Sequence, residues 1–346
     1  MQLRTRRLLA KLSTLALIIA AAGCGQPLAT PPSVTLPTAA AAAPTARPSP
    51  PPSATIAPTP TPLPSATPTP DPANDPIFVG AGDIAACGVA GAAATARLLD
   101  QIEGTVFTLG DNAYDSGTAE EFRDCYDPTW GRHKLRTRPS PGNHDYVTPG
   151  ASGYYDYFGQ NAGPERRGYY SFELGAWHII SLNSELDAGP VSAQAQWLVA
   201  DLASHPTVCT LAYWHKPLFS SGSVHGNDPH MQPIWEILMR AGADVVLNGH
   251  DHIYERFAPQ TAVGVADPHG IREFVVGVGG AELYGLGEIQ PNSEVRATRI
   301  FGVLKLKLHA SSYDWEFVPA EAGAFSDTGS ASCVGATNQP RAEAQG

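Results

Sequence analysis

Five short apolar or Pro-Gly segments between residues 77 and 254 each end on an aspartate, an asparagine or a histidine. The polar residues that follow these segments are, in chain order, Asp83, Asp111, Asn143, His215 and His250. In α/β proteins, ligands bind at the carboxyl ends of strands, so distant segments can deliver side chains to one edge of a sheet. Asp, Asn and His side chains gathered in this way predict a metal site.

The order of the predicted elements is that of an α/β protein. A strand over 77–82, a helix over 89–101 and a strand over 105–109 have the spacing of a βαβ unit, whose two strands are parallel. Further strands are predicted over 169–174, 177–182, 207–213, 244–247, 272–278, 301–309 and 313–318, and further helices over 191–203 and 233–240. We therefore predict an α/β fold in which two packed mixed β-sheets are flanked by helices.

Composition divides the chain into parts that can and cannot pack. About half of the 32 prolines lie between residues 27 and 76, in a tract of Pro, Thr, Ala and Ser that has few apolar side chains to offset the entropy of ordering. We predict a signal peptide over 1–24, a disordered linker over 25–76, a catalytic domain over 77–334 and a disordered tail over 335–346.

The first 24 residues have the features of an export signal. A basic region from Arg4 to Lys11 precedes a short apolar run that ends at Ala21-Ala22-Gly23-Cys24. This end resembles a bacterial lipoprotein cleavage site, which would place a lipid on Cys24 and hold the protein on the outer face of a membrane. An ordinary signal peptide with secretion, a retained membrane helix and a twin-arginine signal at residues 5–11 remain open.

The net charge and the cysteine content limit which classes of partner and which cellular compartment we expect for this chain. The formal net charge is −11 with no basic stripe, so we expect no nucleic-acid partner, because phosphate backbones need clustered positive charge. Besides Cys24 the chain has Cys87, Cys125, Cys209 and Cys333, an even number that suggests two disulfides in an exported protein. We favour the pairs Cys87–Cys125 and Cys209–Cys333, each of which would fasten a loop or a tail; other pairings and unpaired thiols stay open.

The motifs around the polar residues resemble those of the calcineurin-like metallophosphoesterases and, within them, the purple acid phosphatases. The resemblance covers nearly all of residues 77–318. Its motifs are Gly82-Asp83, Gly110-Asp111-Asn112-Ala113-Tyr114, Gly142-Asn143-His144-Asp145, Trp214-His215 and Gly249-His250-Asp251-His252-Ile253-Tyr254-Glu255-Arg256. It implies the metallophosphoesterase α/β/β/α sandwich and hydrolysis of phosphate esters at a centre of two metal ions.

One exchange points to the purple acid phosphatases. Most of the superfamily has a His two residues after the first Asp, where this chain has Ala85, whereas purple acid phosphatases use a Tyr that corresponds to Tyr114. A phenolate suits Fe(III). By this likeness, Fe(III) binds Asp83, Tyr114 and His252; a divalent ion (Zn, Mn or Fe) binds Asn143, His215 and His250; and Asp111 bridges the two. Alternatively, Tyr114 is a packed aromatic residue beside two ions of one metal.

The same likeness assigns the catalytic roles. A metal-bound hydroxide is expected to attack phosphorus, and His144 is expected to protonate the leaving oxygen with Asp145 orienting its imidazole. His225 corresponds to a histidine that faces the substrate, or is an ordinary loop residue. Glu255 and Arg256 are expected to pair under the site. The histidines without motif context, which we interpret as ordinary, are His133, His178, His205, His230, His269 and His309.

The resulting prediction is a phosphoric ester hydrolase that acts on small phosphate monoesters. A phosphodiesterase acting on nucleotides or lipid headgroups would use the same metals. An inactive surface-binding lipoprotein is the third alternative, although it would have no need of a complete set of metal ligands.

Overall fold

The computed structural model describes residues 75–337, all of which lie in one compact unit. The predicted signal peptide, Cys24, nearly all of the linker and most of the tail lie outside the described residues. Within residues 75–337, no helix is both long enough and apolar enough to cross a bilayer.

The described chain forms fifteen strands and six α-helices. The strands are β1 (Ile77–Ala81), β2 (Ala85–Ala86), β3 (Thr105–Leu109), β4 (Ala113–Tyr114), β5 (Thr137–Ser140), β6 (Tyr170–Leu174), β7 (Trp177–Ser181), β8 (Cys209–Tyr213), β9 (Val245–Asn248), β10 (Tyr254–Phe257), β11 (Arg272–Val276), β12 (Ser293–Ala297), β13 (Gly302–Leu308), β14 (Ser312–Pro319) and β15 (Thr328–Ser332). The α-helices are α1 (Gly91–Leu99), α2 (Ala119–Glu121), α3 (Ser152–Phe158), α4 (Ala193–Ser204), α5 (Gln232–Arg240) and α6 (Val334–Thr337). A π-helical turn at Phe122–Tyr126 and 3₁₀ turns at Trp130–Arg136, Pro149–Ala151, Gly159–Ala162, Pro164–Arg166 and Pro229–Met231 complete the helical segments.

Two mixed sheets contain most of the strands. The first has the order β15-β14-β13-β1-β3-β5, in which β1, β3 and β5 are parallel and the other neighbours are antiparallel. The second has the order β12-β10-β11-β9-β8-β7-β6, with β7, β8, β9 and β11 parallel. β2 and β4 form a separate short parallel pair. The prediction of two mixed sheets is confirmed.

The main core lies where the two sheets face each other. Phe78 and Phe107 of the first sheet pack on Tyr213 of the second, with ring centroids 5.7 and 6.4 Å apart. Every residue of β8 is buried, because α4 and α5 cover the other face of the second sheet. α1 covers the first sheet with its buried alanines and Leu99. The layers are therefore helix, sheet, sheet and helix, as predicted.

The strands that the sequence pattern missed lie mostly at sheet edges. β5 contains Pro139, which lacks an amide hydrogen and is tolerated there because β5 is an edge strand. β15 is the other edge strand of the first sheet, and β12 is an edge strand of the second sheet. None of the residues of these two strands is fully buried. Edge strands bury too little apolar surface to show a regular alternation. β10 is an inner strand that was missed; its first three residues belong to the last histidine motif, Gly249 to Arg256.

Two disulfides fasten segments to this framework. Cys87–Cys125 joins the loop after β2 to the π-helical turn, with 5.2 Å between the Cα atoms. Cys209–Cys333 joins β8 to the residue after β15, with 5.4 Å between the Cα atoms. The predicted pairing is confirmed.

Candidate metal centre

The seven predicted metal ligands lie in one cluster beyond the carboxyl ends of β1, β3, β5, β8 and β9. Each has a polar side-chain atom within about hydrogen-bond distance of another member. The members are Asp83, Asp111, Tyr114, Asn143, His215, His250 and His252. The sequence pattern thus located the residues that the fold brings together.

The backbone is strained at three of these positions. Asp83, Asp111 and His250 have φ angles of 61°, 48° and 71°, in the left-handed region that non-glycine residues rarely adopt. Each follows a glycine that comes directly after a strand, and a Cβ atom on Gly249 would lie 2.6 Å from Asp83 Oδ2. Such strain is concentrated at functional sites, where it turns side chains toward a common point.

One half of the cluster surrounds the hydroxyl of Tyr114. This hydroxyl lies 2.9 Å from Asp83 Oδ1, 3.1 Å from Asp111 Oδ2 and 3.2 Å from His252 Nε2. His252 Nε2 in turn lies 3.2 Å from Asp83 Oδ1. These four side chains are all buried and present three oxygen atoms and one nitrogen atom to a single point.

The other half is richer in nitrogen. His215 Nε2 lies 3.0 Å from Asn143 Oδ1, 3.2 Å from Asp111 Oδ2 and 3.1 Å from His250 Nδ1. The ligand atoms of Asp111, His215 and His250 all lie within 4.8 Å of one another. Asp111 Oδ2 therefore belongs to both halves.

Backbone carbonyl groups orient two of the imidazoles. His215 Nδ1 lies 2.7 Å from the carbonyl oxygen of Leu109, and His252 Nδ1 bonds to the carbonyl oxygen of Glu282. Because a carbonyl oxygen only accepts, both Nδ1 atoms donate, and in the neutral form of each ring the lone pair of Nε2 faces the carboxylates. This is the arrangement found when histidine binds a metal.

The pKa shifts of Asp111, His215 and Tyr114 reflect the negative charge of the buried carboxylates in the cluster. Burial would raise the pKa of Asp111, but His215 and His144 outweigh it and hold that pKa well below its usual range. Burial would lower the pKa of His215, but Asp111 raises it to about 10. Burial together with Asp111 and Asp83 raises the pKa of Tyr114 well above its usual value. A phenolate at this position therefore needs a strong cation beside it.

The donor set fits two metal ions. Among residues 75–337, no lysine or arginine bonds to Asp83 or Asp111, although both carboxylates are buried. Buried carboxylates are normally paired with cations or coordinate metals. The set with a phenol and carboxylates matches a hard trivalent ion, and the set with two imidazoles and an amide matches a divalent transition metal.

His144 lies at the rim of the cluster but is not oriented by Asp145. Its Nδ1 is 2.6 Å from the carbonyl oxygen of Asp115, and its Nε2 is 4.0 Å from Asp111 Oδ2. The buried Asp145 instead accepts hydrogen bonds from the side chain of Asn112 and from the amide of Gly142, at 3.0 and 2.9 Å. The predicted orienting role of Asp145 is therefore wrong, because its carboxylate turns inward to bind two metal-site loops.

His225 is exposed and stacks on His250, with ring centroids 3.8 Å apart. Asp251, which was not predicted, holds its loop: the buried carboxylate accepts from the amides of His225 and Gly226 and from Ser220 Oγ. The position of Asp251 between two candidate ligands was a signal that could have identified it.

Glu255 and Arg256 do not pair with each other. Glu255 accepts from the amide and hydroxyl of Ser221, at 2.7 and 2.6 Å, whereas Arg256 pairs with Asp327 at 2.8 Å. They are neighbours on one strand, so their side chains point to opposite faces of the sheet. The predicted pair is therefore wrong, and two separate networks replace it.

A cavity of about 420 Å³ opens beside Tyr114, His144 and His252. Its wall includes Cys87 of the first disulfide, Glu282 and Tyr284. The ring of Tyr284 stacks on that of His252 with centroids 4.0 Å apart. No sequence motif indicated Tyr284, which comes from a loop beyond the last histidine motif.

Comparison with known proteins extends these observations. The model of the calcineurin-like phosphoesterase family matches residues 77–254, which are just over half of the chain and include all seven clustered side chains. Purple acid phosphatase 21 of Arabidopsis thaliana is 32% identical over 213 residues, covering 54% of this chain and 47% of the relative. Purple acid phosphatase 22 of the same plant is 37% identical over 117 residues, covering 32% and 27%. The chain thus spans less than half the length of these relatives.

Two solved structures share the fold. A purple acid phosphatase from yellow lupin (Lupinus luteus) seeds has a TM-score of 0.59 and 20% identity, covering 74% of this chain and 53% of that chain. GAP50, described as the anchor in the inner membrane complex of Plasmodium, has a TM-score of 0.57 and 15% identity, covering 75% and 89%. At these identities the likeness concerns the fold alone.

Proposed function

Because the chain belongs to the calcineurin-like phosphoesterase family, we propose that it is a phosphoric ester hydrolase that cleaves small phosphate monoesters at a dinuclear metal centre. One observation carries most of the weight: Asp111 Oδ2 lies 3.1 Å from the Tyr114 hydroxyl and 3.2 Å from His215 Nε2. A carboxylate that touches both halves of a ligand cluster is suited to bridge two ions.

The two halves would hold different ions. Asp83, Tyr114 and His252 are the residues for Fe(III), and Asn143, His215 and His250 are those for a divalent ion. When bound, the ions supply positive charge that acidifies a water and offsets the charge on the phosphate. The phenol of Tyr114, with its raised pKa, supports a trivalent ion in its half because a weaker cation would not hold the phenolate.

The proton for the leaving oxygen would come from His144. Its Nδ1 is occupied by the carbonyl group of Asp115, so Nε2 is the atom left to carry the transferable proton. The side chain is about one-third exposed, which gives it contact with both the centre and solvent. Asp145 acts as a positioning residue: by binding Asn112 and Gly142 it fixes the loops on which Asp111 and Asn143 lie.

His225 would face the substrate from the half of the cluster that contains His250, on which its ring stacks. Although the residue as a whole is exposed, partial desolvation of the ring, stacked on His250, and the imidazoles of His252 and His215 outweigh Asp251 and Asp83 and lower the pKa of His225, so the neutral form is favoured near pH 7. A neutral imidazole can donate one hydrogen bond to a phosphate oxygen without adding positive charge to the centre.

The test is metal analysis with parallel assays of a monoester and a diester, p-nitrophenyl phosphate and bis(p-nitrophenyl) phosphate. We expect two metal equivalents and faster monoester hydrolysis. His215→Ala should lower kcat by at least about 10³-fold and remove one equivalent, because the divalent ion loses a buried ligand. His269→Ala, at an exposed histidine outside the cluster, is the control.

Each alternative gives a different result. Preferential cleavage of the diester would favour the phosphodiesterase function at the same site. A protein that binds both ions but cleaves neither ester would support a binding role instead. Full activity of His215→Ala with both ions bound would refute the site assignment.

A further inference from the structure

A second cluster of ligand-type side chains lies at the other end of the second sheet. His178 is near the amino end of β7, opposite Thr210 at the start of β8, whereas His215 follows the end of β8. Five residues of extended chain separate these levels, about 16 Å along the sheet. The cluster is therefore distinct from the metal centre described above.

We propose that His178, Asp201 and His205 form a binding site for one divalent transition-metal ion, of which Zn²⁺ is the best match. One side-chain ligand atom from each of the three residues lies within 4.8 Å of the other two. Two imidazole nitrogens and a carboxylate oxygen are the ligand set of open zinc sites, which leave a fourth position to water. The proposal does not depend on the phosphatase function.

His178 is buried in an arrangement typical of a metal ligand. Its Nε2 lies 2.8 Å from Asp201 Oδ2, and its Nδ1 lies 2.7 Å from Glu173 Oε1. Glu173 is the direct cross-strand partner of His178, so the hairpin of β6 and β7 fixes this contact. A carboxylate on the far nitrogen of a histidine orients the ring and increases its basicity toward a metal on the near nitrogen.

Asp201 is held with its carboxylate facing both histidines. Ser171 Oγ donates to Asp201 Oδ1 at 2.7 Å, and His205 Nδ1 lies 3.4 Å from the same oxygen. Among residues 75–337, no lysine or arginine bonds to Asp201 or Glu173. The charge of the buried Asp201 therefore faces imidazole groups alone, and a divalent ion would supply positive charge beside it.

The partly exposed side chain of His205 would bind the ion from the solvent side. Its side chain is 43% exposed, and its ring stacks on that of His178 with centroids 4.6 Å apart. Its Nδ1 lies 2.9 Å from the carbonyl oxygen of Asp201, and metal binding would break this contact. That oxygen keeps a partner, because it also accepts from the backbone amide of His205 at 3.1 Å. Binding therefore leaves no buried acceptor unpaired.

Zinc stoichiometry tests the proposal directly. Full-length protein is incubated with excess Zn²⁺, passed through a desalting column and analysed for total metal. We expect one equivalent beyond the two of the catalytic centre. His205→Ala should lose that third equivalent and keep its phosphatase activity. His269→Ala, which removes an exposed histidine beside Asp267, should keep all three equivalents.

Two further measurements separate this site from the catalytic one. His215→Ala should still bind the additional equivalent although it loses activity. Zn²⁺ should raise the melting temperature by about 2–4 °C more in the wild type than in His205→Ala. Equal zinc stoichiometry in the wild type and in His205→Ala would overturn the proposal and leave His178 as an imidazole hydrogen-bonded between two carboxylates.

Discussion

The hydroxyl of Tyr114 is the most informative single group in the metal centre. It is buried against two carboxylates, and its pKa is raised, so only a strong cation would hold it as a phenolate. A phenolate bound to Fe(III) absorbs visible light by charge transfer. We expect the purified protein to be violet to pink and Tyr114→Phe to be colourless, as measured by visible absorption.

Metal analysis completes that test. Tyr114→Phe should retain less iron, while the divalent ion, whose expected ligands are Asn143, His215 and His250, should be kept. A colourless wild type that holds two Zn²⁺ or Mn²⁺ ions and is fully active without iron would contradict the assignment of Fe(III). It would leave the broader phosphoesterase function intact.

A second residue-level prediction concerns the buried Glu273. Its Oε1 accepts from the amide of Phe219 at 3.4 Å, and its Oε2 has no hydrogen-bond partner among the described residues. Burial raises the pKa of Glu273 well above its usual value, with a further contribution from Glu255. The folded state therefore favours the protonated form, and stability falls as the pH rises from 4.5 through the raised pKa.

Glu273→Gln imitates the protonated acid and should remove this pH dependence. We expect it to raise the free energy of unfolding at pH 8 by about 1–3 kcal/mol relative to the wild type, and by much less at pH 4.5. Urea unfolding at both pH values measures the difference. Glu316→Gln, on β14 at a half-exposed ion pair with Lys305, is the matched control. Equal effects at the two pH values would contradict the prediction.

Residue types identified the side chains of the metal cluster but could not identify the groups that orient them. The motifs contained Asp83, Asp111 and His215 because only a few side chains can bind metals. The carbonyl groups of Leu109 and Glu282 fix the imidazole tautomers, and any residue could supply them. The inward turn of Asp145 likewise depends on Asn112 and Gly142 being close in space.

At the scale of elements, the two disulfides have different expected effects. Cys87 lines the cavity beside Tyr114 and His144, whereas Cys209–Cys333 joins β8 to the end of the described chain. Replacing Cys87 and Cys125 by Ser should raise KM about two- to tenfold with both metals retained, because that loop wall is released. Replacing Cys209 and Cys333 by Ser should leave KM unchanged.

Stability should change in both variants. For loops of 38 and 124 residues, the chain-entropy model gives losses of about 4 and about 5 kcal/mol in the free energy of unfolding. Steady-state kinetics and denaturant unfolding of both double variants measure the two effects. An unchanged KM in the Cys87/Cys125 variant would show that the disulfide does not shape the cavity.

Central elements could be predicted from sequence, and peripheral ones could not. β1, β3, β8 and β9 are buried on nearly every residue, so they appear as short apolar runs between turn residues. α3 was missed because no helix is predicted over residues 139–168, which precede the strand over 169–174. Its Tyr154, Tyr155 and Phe158 become buried only when the chain folds back on the first sheet.

At the scale of the whole molecule, residues 1–24 carry a prediction about location. We propose that Cys24, outside the described residues, bears the lipid and holds the protein on the outer face of a membrane. Cys24→Ser should then move the protein from the membrane fraction to the soluble fraction. Blotting of both fractions and the mass of the mature amino terminus measure this. Unchanged fractionation with cleavage at another residue would contradict it and favour an ordinary signal peptide.

The strand order of the first sheet has a consequence for synthesis. β1 pairs on one side with β3 and on the other with β13, so residues 77–80 contact residues 304–307. A nascent chain that has already emerged to His252 contains every candidate metal ligand but lacks the strand that completes this sheet. At about 5–20 residues per second, the remaining residues to Leu308 take on the order of 3–11 s to be translated. During that interval one edge of β1 has no partner strand, so we expect the emerging chain to need protection from wrong strand pairing until β13 has left the ribosome.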